Sequence, residues 1–142
     1  MIPENARAEN FGSATNFVRF FVDLYPGLFE LDPNLELFDF LSMDGCVFCD
    51  GALRDSAETQ GVGAHSEGGV FSFEDILAQG GLHDDGYTYV GRRFSVTDTV
   101  TYLADGSEYR TVRGGSGTVA LKLKFEDGSW RVYEAEFQYD DA

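Results

Sequence analysis

Basic residues are scarce in this sequence of 142 residues. Lys and Arg together number 10 against 25 Asp and Glu, so the formal net charge is −15. A field of that sign repels phosphate backbones and anionic lipid surfaces, so we expect no nucleic-acid partner. Long apolar runs are also missing. The longest, 17–29, is broken by Arg19, Asp23 and Pro26 and falls short of the ~20 apolar residues of a membrane-spanning helix.

Cysteine is limited to Cys46 and Cys49, which form one C-x-x-C motif. A structural disulfide is the favoured interpretation; a catalytic redox pair and an inert reduced pair stay open. Redox catalysis is disfavoured because the motif follows helices rather than a strand and has no basic neighbour to lower a thiol pKa. A closed zinc site would need further ligands, and only His65 and His83 offer imidazoles, in glycine-rich or acidic segments. We therefore expect no metal and no cofactor.

Aromatic residues are abundant at 15% of the chain, within a hydrophobic fraction of 43%. That content is enough for one well-filled core, and the length suits a single domain. We predict a flexible N-terminal arm over residues 1–12, one α+β domain over residues 13–139 and an acidic tail over residues 140–142. Helices are expected at about 13–58 and strands at about 69–139.

Apolar spacing of three and four residues predicts the helices. The first is expected to be capped by Ser13 and to break or kink at Pro26, which lacks a backbone donor. Asp32 and Pro33 predict a second helix over 33–42, and composition predicts a third over 50–58. The apolar face of the first helix comprises Phe17, Phe20, Phe21, Leu24 and Leu28.

A change to a period of two near Val70 predicts that strands follow the helices, after a glycine-rich loop over 60–69. Residues 87–102 are expected to form a strand pair or one bent strand, with the bend at Gly91. Asp127-Gly128 is a strong hairpin signal. This order, with the helices first and the strands after them, predicts an α+β fold. In that fold, two or three helices pack on a curved antiparallel sheet of four to five strands.

Four segments together resemble an uncharacterised family of actinobacterial secreted lipoprotein domains. They are FVRFFVDLY at 17–25, DGCVFC at 44–49, EGG at 67–69 and LKLKFEDGSWRV at 121–132, and the resemblance spans roughly residues 9–138. It implies the nuclear-transport-factor-2-like, or cystatin-like, cone. It also implies an exported, extracytoplasmic protein held at the membrane only through a lipid on a cysteine upstream of this sequence.

Cones of this type commonly enclose a pocket between sheet and helices, and four strand residues are its candidate lining. They are Asp98, Tyr102, Tyr109 and Glu134. Strand positions can project inward, where an acid beside a tyrosine would serve proton transfer. The alternative is that each carboxylate faces water and each tyrosine lies at the core edge.

Seven of the ten basic residues fall in the strand half and predict a local positive face. They are Arg92, Arg93, Arg110, Arg113, Lys122, Lys124 and Arg131. This face could bind an acidic partner or a carboxylated ligand. Cross-strand pairing with Asp98, Glu108, Glu126 and Glu134 would account for the same residues, and we favour that explanation.

Three functions follow from these observations. The favoured one is a non-enzymatic, exported domain that binds a small-molecule ligand or a cell-envelope protein. The second is a small isomerase or dehydratase with an acid in the pocket. The third is an acidic inhibitor or immunity-type protein that masks a basic partner.

Overall fold

The computed structural model describes residues 2–74 and 78–140. Met1 of the expected N-terminal arm and residues 141–142 of the expected acidic tail lie outside the described residues. Within the segment expected to be a flexible arm, a 3-10 helix spans Glu4–Ala6, and its Ala6 is 1% exposed. The indole of Trp130 donates a hydrogen bond to the carbonyl of Ala8 at 2.9 Å. The arm is packed because it covers one end of the core.

Helix α1 spans Phe11–Leu24 and buries Phe17, Val18 and Phe21. It begins three residues earlier than expected, because Asn10 rather than Ser13 is the N-cap and accepts the Ser13 backbone N–H at 2.8 Å. The expected break is confirmed: α1 ends before Pro26, and a 3-10 helix follows at Pro26–Phe29.

Helix α2 spans Glu36–Leu41 and is shorter than the expected 33–42. Its start is delayed because Asp32 has a left-handed backbone, with φ of 50°, and Asn34 caps the N–H of Glu36. Helix α3 spans Val47–Gly61 and extends beyond the expected 50–58 at both ends. None of the described helices is both long and apolar enough to cross a membrane.

The described residues contain eight strands, of which five form a larger sheet, in agreement with the expected four to five, and three form a second, smaller sheet. The eight strands are β1 His65–Gly68, β2 Phe71–Phe73, β3 Gln79–Leu82, β4 Thr88–Val96, β5 Thr99–Tyr102, β6 Glu108–Val112, β7 Gly115–Glu126 and β8 Ser129–Tyr139. Strand β1 lies inside the segment 60–69 that was expected to be a loop, because Ser66 and Glu67 pair with β5. The antiparallel α+β fold itself is confirmed.

The strands form two antiparallel sheets, and the chain passes from one sheet to the other at a common corner. One has the order β2-β4-β7-β8, with β3 also on β4, and the other has the order β1-β5-β6. The chain passes from one sheet into the other three times, between β1 and β2, between β4 and β5 and between β6 and β7, and each connection is two residues long. The helices pack against the larger sheet, and the smaller sheet folds over beside them.

The corner between the sheets is built from two glycines and one aspartate. A Cβ at Gly68 would stand against the carbonyl of Asp98, and a Cβ at Gly114 against that of Val96. The Asp98 carboxylate accepts the backbone N–H of Gly114 at 2.7 Å. The bent strand was therefore correctly expected, but its bend is at 97–98 and not at Gly91, which is an ordinary strand residue of β4.

Two-residue alternation correctly identified the core face of β7. Val119, Leu121 and Leu123 are buried, while Lys122 and Lys124 point to the other side. The Asp127-Gly128 turn joins β7 to β8 with φ values of 54° and 81°, as the hairpin signal predicts.

Candidate ligand-binding cavity

A cavity of about 540 Å³ lies between the smaller sheet and the helices. One wall is formed by β1, β5, β6 and the corner. The other is formed by the 3-10 helix Pro26–Phe29 and the exposed side of α3, with Phe71 and Tyr139 at the junction with the larger sheet. The volume suits a drug-sized molecule.

The floor of the cavity is lined by hydroxyl groups because of the strand register. Thr101 lies opposite Ser66 on one side and Arg110 on the other, and Thr99 lies opposite Gly68 and Val112. Directly opposed residues share a face, so these side chains all point into the cavity. Ser66 and Thr101 bond to each other through their hydroxyls at 2.8 Å.

A β-bulge brings Tyr109 to the mouth of the cavity. Thr101 pairs with Arg110 and Tyr102 with Glu108, so Tyr109 is an extra residue in β6 without a direct partner. Its side chain is 62% exposed and lines the opening. The Arg110 guanidinium lies 5.9 Å from the centre of the Tyr109 ring.

The helical wall is packed around Tyr25. The Tyr25 ring packs against Phe29 at 5.3 Å and Phe48 at 5.4 Å between centroids. The hydroxyl of buried Ser56 on α3 donates to the carbonyl of Leu28 at 2.6 Å, which ties the two helices together. Burial raises the pKa of the Tyr25 hydroxyl, and the Asp55 carboxylate adds to the rise. Tyr25 therefore stays protonated at neutral pH and can donate a hydrogen bond.

Charges of opposite sign face each other at the mouth. Asp55 and Glu58 lie on α3, and Arg110 and Arg113 lie on the sheet side; all four are exposed. Within residues 2–74 and 78–140, no carboxylate comes within 4.0 Å of either arginine.

Among the described residues, three other basic residues of the strand half lie within 4.0 Å of a carboxylate, but mostly of carboxylates other than those expected. Arg131 bonds to Glu126 at 3.4 Å, which was among the expected partners. Arg93 instead bonds to Asp140, the first residue of the acidic tail, at 2.6 Å. Lys122 lies 3.9 Å from Asp85.

Of the four candidate pocket residues, Tyr109 lines this cavity. Asp98 is at the corner, where it holds Gly114. Tyr102 lies on the opposite face of the smaller sheet, with its ring 5.6 Å from that of His65. The structure does not bring these side chains together as one site.

Glu134, the fourth candidate, caps α3. Its carboxylate accepts the backbone N–H groups of Val47 at 3.1 Å and Phe48 at 3.2 Å. A bulge in β8 makes this possible: Val132 and Ala135 are both buried although three residues apart, so Glu134 leaves the regular alternation.

Cys46 and Cys49 form a disulfide at the start of α3. Both residues are fully buried at 0% exposure, and the Cys46 sulfur accepts the backbone N–H of Cys49. The Cys46 sulfur is 4.0 Å from a carboxylate oxygen of Glu134. A catalytic redox pair needs an accessible sulfur in an electropositive setting, so this site favours the structural interpretation.

Each of the two histidines contacts a different side chain. His65 contacts Glu67 at 3.1 Å, and the His83 ring packs on Tyr89 at 4.2 Å. Among the residues that the structure describes, no three His, Cys, Asp or Glu side chains cluster as a metal site.

Sequence reasoning missed most of the cavity lining. Tyr25 and Asp55 come from helical segments, whereas the four residues predicted from the sequence all come from the strand half. The break at Pro26 was a usable signal for Tyr25, because a helix end often exposes its last side chains. Asp55 has no distinctive sequence signal.

No protein-family model matches this sequence, and no curated protein sequence matches it. Solved structures do match its fold. The intermembrane space region of the chloroplast protein ARC6 has a TM-score of 0.64 at 13% identity, over 94% of this chain and 99% of that one. The beta subunit of benzoate 1,2-dioxygenase from Burkholderia mallei has a TM-score of 0.56 at 10% identity, over 94% and 92%.

A third similar structure is an uncharacterized protein with a cystatin-like fold from Caulobacter vibrioides. Its TM-score is 0.47 at 11% identity, over 92% of each chain. At these identities, the first two structures show the fold alone. The chain has three helices packed against antiparallel sheets, the α+β fold that the sequence predicts.

Proposed function

We propose that this chain is the non-enzymatic binding domain of an exported, lipid-tethered protein, and that it binds a small molecule in the cavity between the smaller sheet and the helices. The observation that carries the proposal is the cavity itself. Its volume of about 540 Å³ lies in the range of ligand pockets, and it combines aromatic walls with a few converging polar groups.

Binding is favoured over acid–base catalysis by the state of the cavity's ionisable groups. Asp55 and Glu58 are exposed, so neither is a carboxylate enclosed by apolar walls. Such enclosure is what raises a carboxyl pKa into the useful range for proton transfer. Tyr25 has a raised pKa, which suits a hydrogen-bond donor rather than a base.

Export is supported by the buried disulfide. Disulfides persist in oxidising compartments and are rare in the cytosol, where thiols are kept reduced. The Cys46–Cys49 bond joins residues only three apart at the first turn of a helix that forms one cavity wall. Its role is therefore to hold the entry to α3.

A neutral fluorescent probe tests the cavity. Nile red should bind the wild-type protein saturably, and Thr99→Trp, which fills the floor, should abolish binding. Thr111→Trp is the matched control, because Thr111 pairs with Val100 on the opposite face of the same sheet.

A second variant covers the case in which Thr99→Trp does not fold. Val112→Trp projects into the same cavity from the exposed edge strand β6, where a larger side chain has room. Unchanged Nile red binding by a folded Thr99→Trp or Val112→Trp protein would overturn the proposal. So would a lack of saturable binding to wild type together with no small molecule retained in a non-denaturing mass spectrum.

A further inference from the structure

We propose, on the basis of the function above, that the ligand of this cavity is an amphipathic anion. Its anionic head would lie between Arg110 and Arg113, and its apolar body against Tyr25, Phe29 and Phe71. Carboxylate and phosphate heads share the required chemistry, since both accept paired hydrogen bonds from a guanidinium.

The first argument is that these two arginines line the cavity with no carboxylate of the described residues beside them. Acidic residues outnumber basic ones by 25 to 10, and Arg93 and Arg131 on the larger sheet are each paired with one. Arg110 has the Tyr109 ring at 5.9 Å instead, and it acts electrostatically on the Tyr25 hydroxyl of the opposite wall.

Strand register supplies the second argument. Arg110 pairs with Thr101 and therefore shares the face that forms the cavity floor. Arg113 adjoins Gly114, whose backbone is held by Asp98 at the corner. The two guanidinium groups thus come from a braced corner and the strand leading into it, at one side of the opening.

Apolar side chains around the mouth provide the third argument. Four of the nine large hydrophobic residues that are exposed among the described residues line this one cavity: Val62 at 65%, Tyr109 at 62%, Val112 at 53% and Tyr139 at 51%. Exposed apolar groups collected at one opening indicate a binding site for an apolar body.

The acidic helix wall sets the orientation of the ligand. Asp55 and Glu58 would repel an anionic head, which leaves the arginine side as its place. Acidic residues are the commonest charged residues of this chain, so a pair of them at a mouth carries little information about the ligand. Two arginines that line the same mouth, with no carboxylate within 4.0 Å among the described residues, carry more.

The test compares three ten-carbon probes below their micelle-forming concentrations: decanoate, decanol and decyltrimethylammonium. Displacement of Nile red should show decanoate binding about tenfold tighter than the other two, the effect of one charge-assisted hydrogen bond. Arg110→Gln and Arg113→Gln should lower decanoate affinity to that of decanol and leave decanol unchanged. Arg19→Gln, on exposed α1 surface away from the cavity, is the control.

Equal binding of decanoate and decanol would overturn the anionic head while the cavity still binds Nile red. Tighter binding of decyltrimethylammonium would overturn it in favour of a cationic ligand on the acidic wall. Neither result would affect the proposed function, whereas failure of Nile red binding together with no small molecule retained in a non-denaturing mass spectrum would remove both. Decyl phosphate, compared with decanoate, then distinguishes the two head groups.

Discussion

The Glu134 carboxylate lies at the N-terminus of α3, where it accepts the backbone N–H of Val47 at 3.1 Å across 87 positions of sequence. The first amides of a helix have no partner within the helix, and their dipoles favour a negative charge. Glu134 therefore joins the edge strand β8 to the helix that forms one wall of the cavity.

Replacing this cap should destabilise the protein measurably. Glu134→Ala leaves the Val47 and Phe48 amides without their acceptor and should lower the free energy of unfolding by about 1–2 kcal/mol. Urea unfolding followed by circular dichroism measures the change. Glu136→Ala is the control, because Glu136 is exposed on the same strand and should change stability by under about 0.5 kcal/mol. Equal midpoints for the two variants would refute the capping role.

Loss of the disulfide should weaken the fold without abolishing it. The bond closes a very short loop, so Cys46→Ser with Cys49→Ser should cost about 1–3 kcal/mol and leave the circular dichroism spectrum folded. A random-coil spectrum would contradict this. For the wild type purified without reductant, we expect a denatured mass lower by about two hydrogens than after reduction.

The corner glycine Gly114 should tolerate no side chain. In Gly114→Ala the new Cβ meets the Val96 carbonyl, a backbone atom that cannot rotate away. We expect a loss of about 3 kcal/mol or more in unfolding free energy. Gly61→Ala is the matched control, since Gly61 is helical and no atom lies within 4 Å of its added Cβ. If both variants unfold at the same denaturant concentration, the corner does not depend on this close approach.

The outer face of the larger sheet offers a test of electrostatics. The Tyr89 hydroxyl donates to Asp85 at 2.6 Å and holds the pKa of that carboxyl below its ordinary value. A lowered carboxyl pKa stabilises the fold above the unfolded-state pKa, and this contribution is lost as pH falls through the folded-state pKa. Tyr89→Phe should therefore move the Asp85 pKa upward in a carboxyl NMR titration.

Tyr102→Phe is the control for that titration, because Tyr102 lies on the smaller sheet. An Asp85 pKa that stays in place in Tyr89→Phe would show that the Tyr87 backbone N–H, at 2.9 Å from Asp85, is sufficient alone.

Local patterns predicted the parts of the fold that depend on neighbouring residues. The α1 break at Pro26 follows from a missing backbone donor, and the Asp127-Gly128 hairpin from two residues that tolerate positive φ. The alternation around Lys122 identified the buried face of β7. These properties are set within a few residues of chain, so sequence alone is enough to predict them.

Several errors share one cause, which is that long-range contacts override local preference. Residues 60–69 contain four glycines, yet Ser66 is in a strand because β5 is beside it. The bend was expected at Gly91 because glycine permits one, but it occurs at Asp98, where Gly68 and Gly114 from other strands leave room. Neither outcome can be inferred from residues adjacent in sequence.

The candidate site also depends partly on local sequence and partly on long-range contacts. By itself the sequence determined the fold class, the pairing-competent cysteines, the core faces and the shortage of basic residues, because composition and periodicity act locally. Only the tertiary structure decided that Tyr109 reaches a cavity and that Glu134 caps a helix, because each lies at a β-bulge that breaks the two-residue alternation. It also decided that none of the described carboxylates lies within 4.0 Å of Arg110, since charge pairing depends on which distant strands meet.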